Sequence, residues 1–344
     1  MSPAQYKARY ESLPVYLGNG STVKVQVNQY RLNPANVNVK ARDAFMAMLA
    51  KTGIDRELTV QTMSGIVKLD PDPALTTAND AYEKKLHKGA PKVEVTAVSV
   101  QENLEFVDQK GAINFANVAR YVIAGDPAPS PTFIDTKRYV DFRTMARYVF
   151  SGKGSPEACQ IVLQLAGQWG LAPDGLQKYA DQALGLDCNG FVGNYLWHEK
   201  HGNPWNNLGV GNRDLGPDAF IDELCKGKGL TKWDDIHPSQ MYLFGMVDAS
   251  GQVIRGGPAA KEGDAAPPPG HIVITEPGRL RPAMTVAGKA VPAAVRVVES
   301  TAAHSPGLWE SWYIFVAVSH GVFTLNREDM SRNKRLNFKI VPVM

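Results

Sequence analysis

The 344-residue sequence lacks the features that mark several large classes of protein. Its three cysteines lie far apart and form no CxxC pair, which argues against a disulfide framework and a structural zinc module. No window approaches the roughly 18 consecutive apolar residues of a membrane span, so we expect no such span. An excess of charge of one sign is also lacking: 37 Lys and Arg residues stand against 34 Asp and Glu, and the basic residues are scattered. This distribution predicts no nucleic-acid partner.

The composition and length of the chain predict a compact protein of two domains. Apolar residues make up 44% of the sequence and charged residues 21%, as in ordinary globular proteins. Residues 125–131 read Gly-Asp-Pro-Ala-Pro-Ser-Pro, and the prolines in this segment disfavour helix on both sides. We therefore predict one domain over residues 1–130 and a second over residues 131–344. The N-terminal residues carry no apolar signal-peptide run, so we expect cytoplasmic synthesis.

The first predicted domain has the pattern of a small α+β unit whose role the sequence does not indicate. Alternating apolar residues on both sides of Gly18-Asn19-Gly20 predict a hairpin over residues 15–27. Helical spacing predicts a helix over residues 41–51. A strand over residues 93–100 and a helix over residues 115–124 complete this expectation.

The second predicted domain begins with helical patterns and ends with strand patterns. Helices are predicted over residues 142–150, 156–169 and 176–184, and a further helix should begin at Asp187. Short apolar runs then predict an antiparallel sheet with strands over residues 241–247, 272–275, 295–298, 312–318, 322–325 and 338–343. Residues 249–270 and 277–293 are predicted to be long loops on either side of the strand that follows His271.

The segment Asp187-Cys188-Asn189-Gly190-Phe191-Val192 carries the strongest chemical signal in the chain. An Asp at the N-cap would place Cys188 in the first turn of a helix, where backbone N–H groups and the positive helix end favour the thiolate form. The backbone N–H of Cys188 is then the favoured single donor of a hydrogen bond to an oxyanion.

This segment resembles the Asp-Cys-Ser-Gly-Phe signature of the NlpC/P60 cysteine peptidases, with Asn189 in place of Ser. Gly270-His271-Ile272-Val273 is similar to the family's later Gly-His-hydrophobic strand, and the run ending at Glu299 is similar to the strand that follows it. The fold class this resemblance implies is α+β: a papain-like catalytic domain, with a helical cluster packed on an antiparallel sheet, preceded by the small N-terminal α+β domain.

The resemblance implies a catalytic triad of Cys188, His271 and Glu299. The thiolate attacks an acyl carbonyl, the imidazole carries protons, and the third residue orients the imidazole. Glu299 departs from the His, Asn or Gln that the family usually has there, and His304, a short distance along the chain, is the alternative. We favour Glu299 because its place at the end of a strand matches the family position.

Other candidate groups have simpler interpretations. Cys159 and Cys225 lie in apolar surroundings and are interpreted as structural. His198 and His201 lack the HExxH spacing and a third ligand, so we expect no metal. Gly209-Val210-Gly211 lacks the frame of a dinucleotide loop, so we expect no cofactor.

The resemblance implies that the substrate is a peptide of bacterial cell-wall peptidoglycan, in which an amide bond is hydrolysed. Because that wall lies outside the cytoplasm, it also implies export by a non-classical route, with residues 1–130 as a loading, wall-binding or regulatory domain that meets a secretion or inhibitor partner. Two alternatives stay open: an acyl-transfer enzyme that acts on a protein amide or lipid ester, and a non-catalytic binding protein.

Overall fold

The computed structural model of the chain describes residues 1–17, 21–32, 36–52, 58–62, 65–69, 112–114, 142–201, 227–254, 270–287, 289–328 and 335–343. The helices of this part are α1 (Pro3–Tyr10), α2 (Val39–Thr52), α3 (Phe142–Phe150), α4 (Pro156–Gln168), α5 (Leu176–Ala183) and α6 (Cys188–His201), with a 3-10 turn at Trp233–Asp235. The strands before α3 are β1 (Leu13–Tyr16), β2 (Thr22–Val25), β3 (Leu58–Thr62), β4 (Gly65–Leu69) and β5 (Ala112–Asn114). Those after α6 are β6 (Tyr242–Met246), β7 (Ile272–Arg281), β8 (Met284–Val286), β9 (Lys289–Val291), β10 (Ala294–Ser300), β11 (Leu308–Ser319), β12 (Val322–Arg327) and β13 (Leu336–Pro342).

The chain divides into two compact units, and each is built from separate stretches of sequence. The unit that we name the barrel unit comprises Met1–Ala8, Asp187–Tyr195 and Asn212–Met344. The unit that we name the helical unit comprises Arg9–Leu186 and Leu196–Gly211. The boundary predicted near residue 130 lies outside the described residues, as do the strand predicted over 93–100 and the helix predicted over 115–124.

The helical unit confirms the local predictions that fall on its described residues. Strands β1 and β2 form the expected antiparallel hairpin, and helices α3, α4 and α5 end within one residue of their predicted limits. Helix α4 is buried from Pro156 to Ala166, and the Ser155 hydroxyl caps it by accepting a hydrogen bond from the Ala158 N–H at 3.2 Å. Its buried stretch includes the polar residues Glu157, Gln160 and Gln164 as well as apolar ones, so this helix lies in the interior of its unit.

The barrel unit is built around six antiparallel strands that close into a barrel in the order β6-β7-β10-β11-β12-β13. The order in space follows the order in sequence, so each strand pairs with the strands before and after it. The closing pair joins the first strand to the last, from Tyr242 opposite Pro342 to Met246 opposite Phe338. A closed barrel has no free strand edge, which removes a site of edge-to-edge association.

This finding corrects the predicted fold class: a papain-like helical cluster packed on an antiparallel sheet is wrong. The individual strands and their antiparallel pairing are confirmed, but they form a closed barrel. The physical reason is that an alternating pattern marks a strand with two different faces and is the same in an open sheet and in a barrel. Closure depends on the β6–β13 pair, whose members are far apart in the sequence and carry no local signal of their partner.

Inward-facing side chains from all six strands fill the barrel. Rings of Phe244 and Phe338 lie 6.1 Å apart, and those of Tyr313 and Phe338 meet edge to face at 5.5 Å, a favoured geometry for aromatic pairs. The buried cluster consists of Ile236, Tyr242, Phe244, Val273, Val295, Val297, Tyr313, Phe323, Leu325, Phe338 and Ile340.

Strand β7 is longer than predicted because a bulge lets it continue past a proline. Its pairing with β10 is interrupted after Thr275 and resumes at Leu280, with Pro277 and Gly278 between them. Gly278 has φ +76°, a conformation that glycine adopts without strain. The predicted loop over residues 277–293 is therefore the end of β7 followed by the β8–β9 hairpin.

No helix within the described ranges is long and apolar enough to cross a membrane.

Candidate active site

Cys188 is the first residue of α6, at a helix start fixed by its neighbour. The Asp187 carboxylate accepts a hydrogen bond from the Gly190 N–H at 2.5 Å, and the Asp187 carbonyl accepts one from the Phe191 N–H at 3.1 Å. Asp187 is therefore the predicted N-cap. The Cys188 thiol is free and partly exposed. An N-capped helix end is a favourable position for a negatively charged sulfur.

The first turns of α6 are anchored by aromatic packing within the barrel unit. Phe191 and Tyr195 are fully buried. The ring of Tyr6 in α1 lies 6.1 Å from that of Phe191 and 5.6 Å from that of Tyr195. The Tyr195 hydroxyl donates to the Met1 carbonyl at 2.9 Å. These contacts fix the direction of the helix that begins at Cys188.

His271 lies immediately before β7 and contacts both other members of the predicted triad. Its carbonyl accepts a hydrogen bond from the Met246 N–H at 2.9 Å, which ties its backbone to the end of β6. Its Nε2 lies 2.6 Å from Oε2 of Glu299, and its side chain is also hydrogen-bonded to Cys188. Because Nε2 faces Glu299, Nδ1 is the ring nitrogen available to the thiol.

Glu299, on β10, is fully buried and both of its carboxylate oxygens are occupied. Oε2 faces His271 and accepts a hydrogen bond from the Tyr313 hydroxyl at 3.1 Å. Oε1 accepts one from the Ser311 hydroxyl at 2.7 Å and lies 3.1 Å from Nη2 of Arg327. The carboxylate is therefore held on each side, which is what a buried charge requires.

The electrostatics of the site favour a charged His271–Glu299 pair at neutral pH. Burial alone would lower the pKa of His271, but the hydrogen bonds and charges of Cys188 and Glu299 raise it to about 10. Burial alone would raise the pKa of Glu299, but the hydrogen bond and charge of His271, with Arg327 and Ser311, hold it below its ordinary value of 4.5. An imidazolium beside a carboxylate stabilises a thiolate next to it.

The structure places Glu299, and not His304, at Nε2 of His271. The His304 ring instead stacks on Trp309, with the ring centroids 5.0 Å apart. All three residues named as a triad from the sequence therefore lie together, and their catalytic role stays a prediction.

Two of the remaining cysteine and histidine candidates, Cys159 and His198, belong to the helical unit. Cys159 is buried in the helical unit, where burial and the charge of Glu157 raise the pKa of its thiol well above the ordinary range. Burial lowers the pKa of His198. Cys225 lies outside the described residues. In the part of the chain that the structure describes, no group of three His, Cys, Asp or Glu side chains is arranged to hold a metal ion.

Sequence reasoning did not find three polar residues that hold Glu299: Ser311, Tyr313 and Arg327. One signal was present. In β12, Phe323, Leu325 and Arg327 alternate along the strand, so the arginine occupies the face of two residues that are fully buried. A cation in such a position needs a buried anion.

No family model, curated protein or solved structure matches the chain. The likeness to the NlpC/P60 signature therefore rests on the short motifs around Cys188, His271 and Glu299, and on their order along the chain. Chemically, a partly exposed thiol, an imidazole and a carboxylate bonded in series form the arrangement used for acyl transfer through a covalent thioester.

Proposed function

We propose that this protein is a cysteine-dependent hydrolase that cleaves an amide bond in bacterial cell-wall peptidoglycan peptides. The observation that carries the proposal is the continuous hydrogen-bonded series from Cys188 through His271 to Glu299. A structural cysteine has no need of a histidine whose second nitrogen is held by a buried carboxylate. In a nucleophilic cysteine each of these groups has a role.

The reaction proceeds through a thioester. The Cys188 sulfur forms a bond to the carbonyl carbon, and the carbonyl π electrons move to oxygen, where the backbone N–H of Cys188 stabilises the charge. The oxyanion collapses, the C–N bond breaks, and His271 gives its proton to the leaving amine. Water then attacks the thioester carbonyl while His271 takes a proton from it. The C–S bond breaks, which releases the acid and restores the Cys188 thiolate beside the His271 imidazolium. The net change is amide plus water to carboxylic acid plus amine.

Glu299 supports both halves of this cycle without changing its own charge. Its bond to Nε2 holds the imidazole in one orientation, with Nδ1 toward sulfur, and its negative charge stabilises the imidazolium. Its other oxygen is tied to the barrel by Ser311, so the carboxylate does not rotate when the proton moves.

The substrate class is supported by the Asp187-Cys188-Asn189-Gly190-Phe191 motif, which resembles that of enzymes that act on wall peptides. A wall substrate requires that the protein reach the wall, so the proposal includes export by a non-classical route. Residues 1–130 would then act in loading, wall binding or regulation, through a partner such as a secretion component or an inhibitor.

The test is hydrolysis of purified muropeptides by the full chain, with products identified by mass spectrometry. We expect products that have gained one water across an amide bond. The Cys188→Ala and Cys188→Ser variants should yield none, because neither has a thiolate. Glu310→Gln, which alters a partly exposed carboxylate on β11, is the matched control and should retain activity.

Two results would replace the proposal. Cleavage of a protein amide or a lipid ester, with muropeptides untouched, would make the protein an acyl-transfer enzyme with a different substrate. Alkylation of Cys188 by iodoacetamide no faster than that of buried Cys159 would favour a non-catalytic binding protein.

A further inference from the structure

The Glu299 carboxylate presents an energetic problem that the proposed triad alone does not solve. Its side chain is fully buried, and moving a carboxylate out of water carries a large desolvation penalty even after the protein relaxes. A buried carboxyl group without compensation takes up a proton and becomes neutral. A neutral acid would no longer stabilise the imidazolium form of His271.

Arg327 supplies the missing charge from the next strand but one. Its Nη2 lies 3.1 Å from Oε1 of Glu299 and donates to the Ser311 hydroxyl at 3.3 Å. The Arg327 side chain is 4% exposed, and its guanidinium lies 6.0 Å from the ring centroid of Tyr313. The cation is as deeply placed in the barrel as the anion that it faces.

The two oxygens of Glu299 have different partners. Oε1 faces Arg327 and Ser311, whereas Oε2 faces His271 and Tyr313. The guanidinium therefore binds the side of the carboxylate that points away from the histidine. This arrangement leaves Oε2 directed at Nε2.

We infer that Arg327 is a positioning residue of the proposed active site: it keeps Glu299 ionised and directs Oε2 toward His271. The inference rests on the proposed function, because it assigns Arg327 to the support of a working cysteine. It also explains how this chain uses a buried carboxylate where the family that it resembles usually has a neutral side chain or a histidine.

Loss of the Arg327 cation should shift the pH dependence of Cys188 reactivity in one direction. Among the described residues, the charged and titratable groups that contact Glu299 are His271 before β7, Tyr313 on β11 and Arg327 on β12. Beyond His271 lie Cys188 and its cap residue Asp187. Removing the Arg327 cation makes Glu299 hold a proton more tightly, and a neutral Glu299 no longer stabilises the imidazolium that in turn stabilises the Cys188 thiolate. The pH at which Cys188 becomes reactive should therefore rise in Arg327→Met.

The experiment measures the rate of alkylation of Cys188 by iodoacetamide as a function of pH, with the labelled residue identified by mass spectrometry. For Arg327→Met we expect the rise in reactivity to occur about one pH unit higher than in the wild type, the lower end of what a close charge produces. Arg327→Lys, which keeps the charge, should restore most of the wild-type profile. Arg296→Met is the matched control, since it removes a partly exposed arginine paired with Glu310, and its profile should match that of the wild type.

A second comparison tests whether Arg327 acts through Glu299 or through a general change in the protein. It does not require the single variant Arg327→Met to fold. If Arg327 acts through Glu299, then adding Arg327→Met to Glu299→Gln should leave the profile of Glu299→Gln unchanged. This double variant also removes both buried charges together, which proteins tolerate better than the loss of one.

The outcomes distinguish this inference from the proposed function. Alkylation of Cys188 that is unaffected by His271→Ala overturns the proposed function itself. If alkylation depends on His271 but the pH profile of Arg327→Met matches that of the wild type, only the role of Arg327 is overturned. A profile shifted no further than that of Arg296→Met has the same meaning. The role of Arg327 is also overturned if adding Arg327→Met to Glu299→Gln shifts the pH profile of Cys188 alkylation.

Discussion

Oε2 of Glu299 lies 2.6 Å from Nε2 of His271, and the pairing of β7 with β10 accounts for this proximity. Ile274 lies opposite Val298, and continuing that register by one residue sets Glu299 opposite Val273, two positions from His271. Residues in this diagonal relation on neighbouring strands are within reach of long side chains. The His–Glu contact is thus a consequence of strand register.

Replacing His271 with Ala should abolish most of the proposed activity without removing the nucleophile. General acid–base catalysis typically contributes about 10²- to 10⁴-fold, so we expect kcat on muropeptides to fall by about 10³-fold. Steady-state kinetics on the wild type and His271→Ala would measure this fall in kcat, with Glu310→Gln as the control. Equal rates in the first two would exclude His271 from the reaction.

The Glu299–Arg327 pair should be important for stability because loss of one partner leaves the other charge buried. We expect Glu299→Gln to lower the free energy of unfolding by about 3 kcal/mol, the scale for breaking a buried ion pair. Glu310, whose oxygens lie 3.0 Å from Arg296 and 3.6 Å from Lys7, is partly exposed. Its change to Gln should cost less than about 1 kcal/mol. Urea denaturation of both variants gives the comparison, and similar losses would contradict the interpretation.

The stability that His271 contributes should decline in alkaline solution. Its pKa rises from an ordinary value of 6.5 to about 10 on folding, so its contribution is complete below 6.5 and is lost as the pH rises toward 10. The difference in free energy of unfolding between wild type and His271→Ala should therefore be larger at pH 6.5 than at pH 10. Urea denaturation at the two pH values measures this difference, and a constant value would show that the pair is not charged.

Glu299 should have the opposite dependence at the acid end. Its pKa is lowered from 4.5 in the folded protein, so its contribution is present above 4.5 and is lost as the pH falls through the lower value. Wild type should lose stability in acid more steeply than Glu299→Gln, which has no proton to take up there. Parallel acid-unfolding curves followed by circular dichroism would refute this expectation.

The cap at the start of α6 should matter for stability and for the reactivity of the thiol. Asp187→Ala removes the acceptor of the Gly190 N–H and should cost about 1 kcal/mol, whereas Asp187→Asn keeps an acceptor and should cost little. We also expect slower alkylation of Cys188 in Asp187→Ala because the helix start frays. Thermal unfolding and alkylation rates of the two variants provide the test. It would fail if Ala and Asn behaved alike.

Much of the local structure was predictable from short stretches of sequence. The N-cap at Asp187 and the helix that begins at Cys188 follow from residue types a few positions apart, and hydrogen bonds within a single turn satisfy them. The strand after His271 was likewise predictable from its run of apolar residues. Its continuation past Pro277 was not, because only pairing with β10 makes room for a bulge there.

Local sequence patterns were enough to predict helices α2 to α6 and the six barrel strands, because helix caps and apolar periodicity act between neighbouring residues. The sequence also indicated the candidate thiol, imidazole and carboxylate in their order along the chain. Closure of the strands into a barrel, and the register that brings Arg327, Ser311 and Tyr313 to Glu299, became visible only in the folded chain. The reason is physical: an alternating pattern specifies a face of a strand, whereas the partner of a buried charge is set by pairings between segments distant in the sequence.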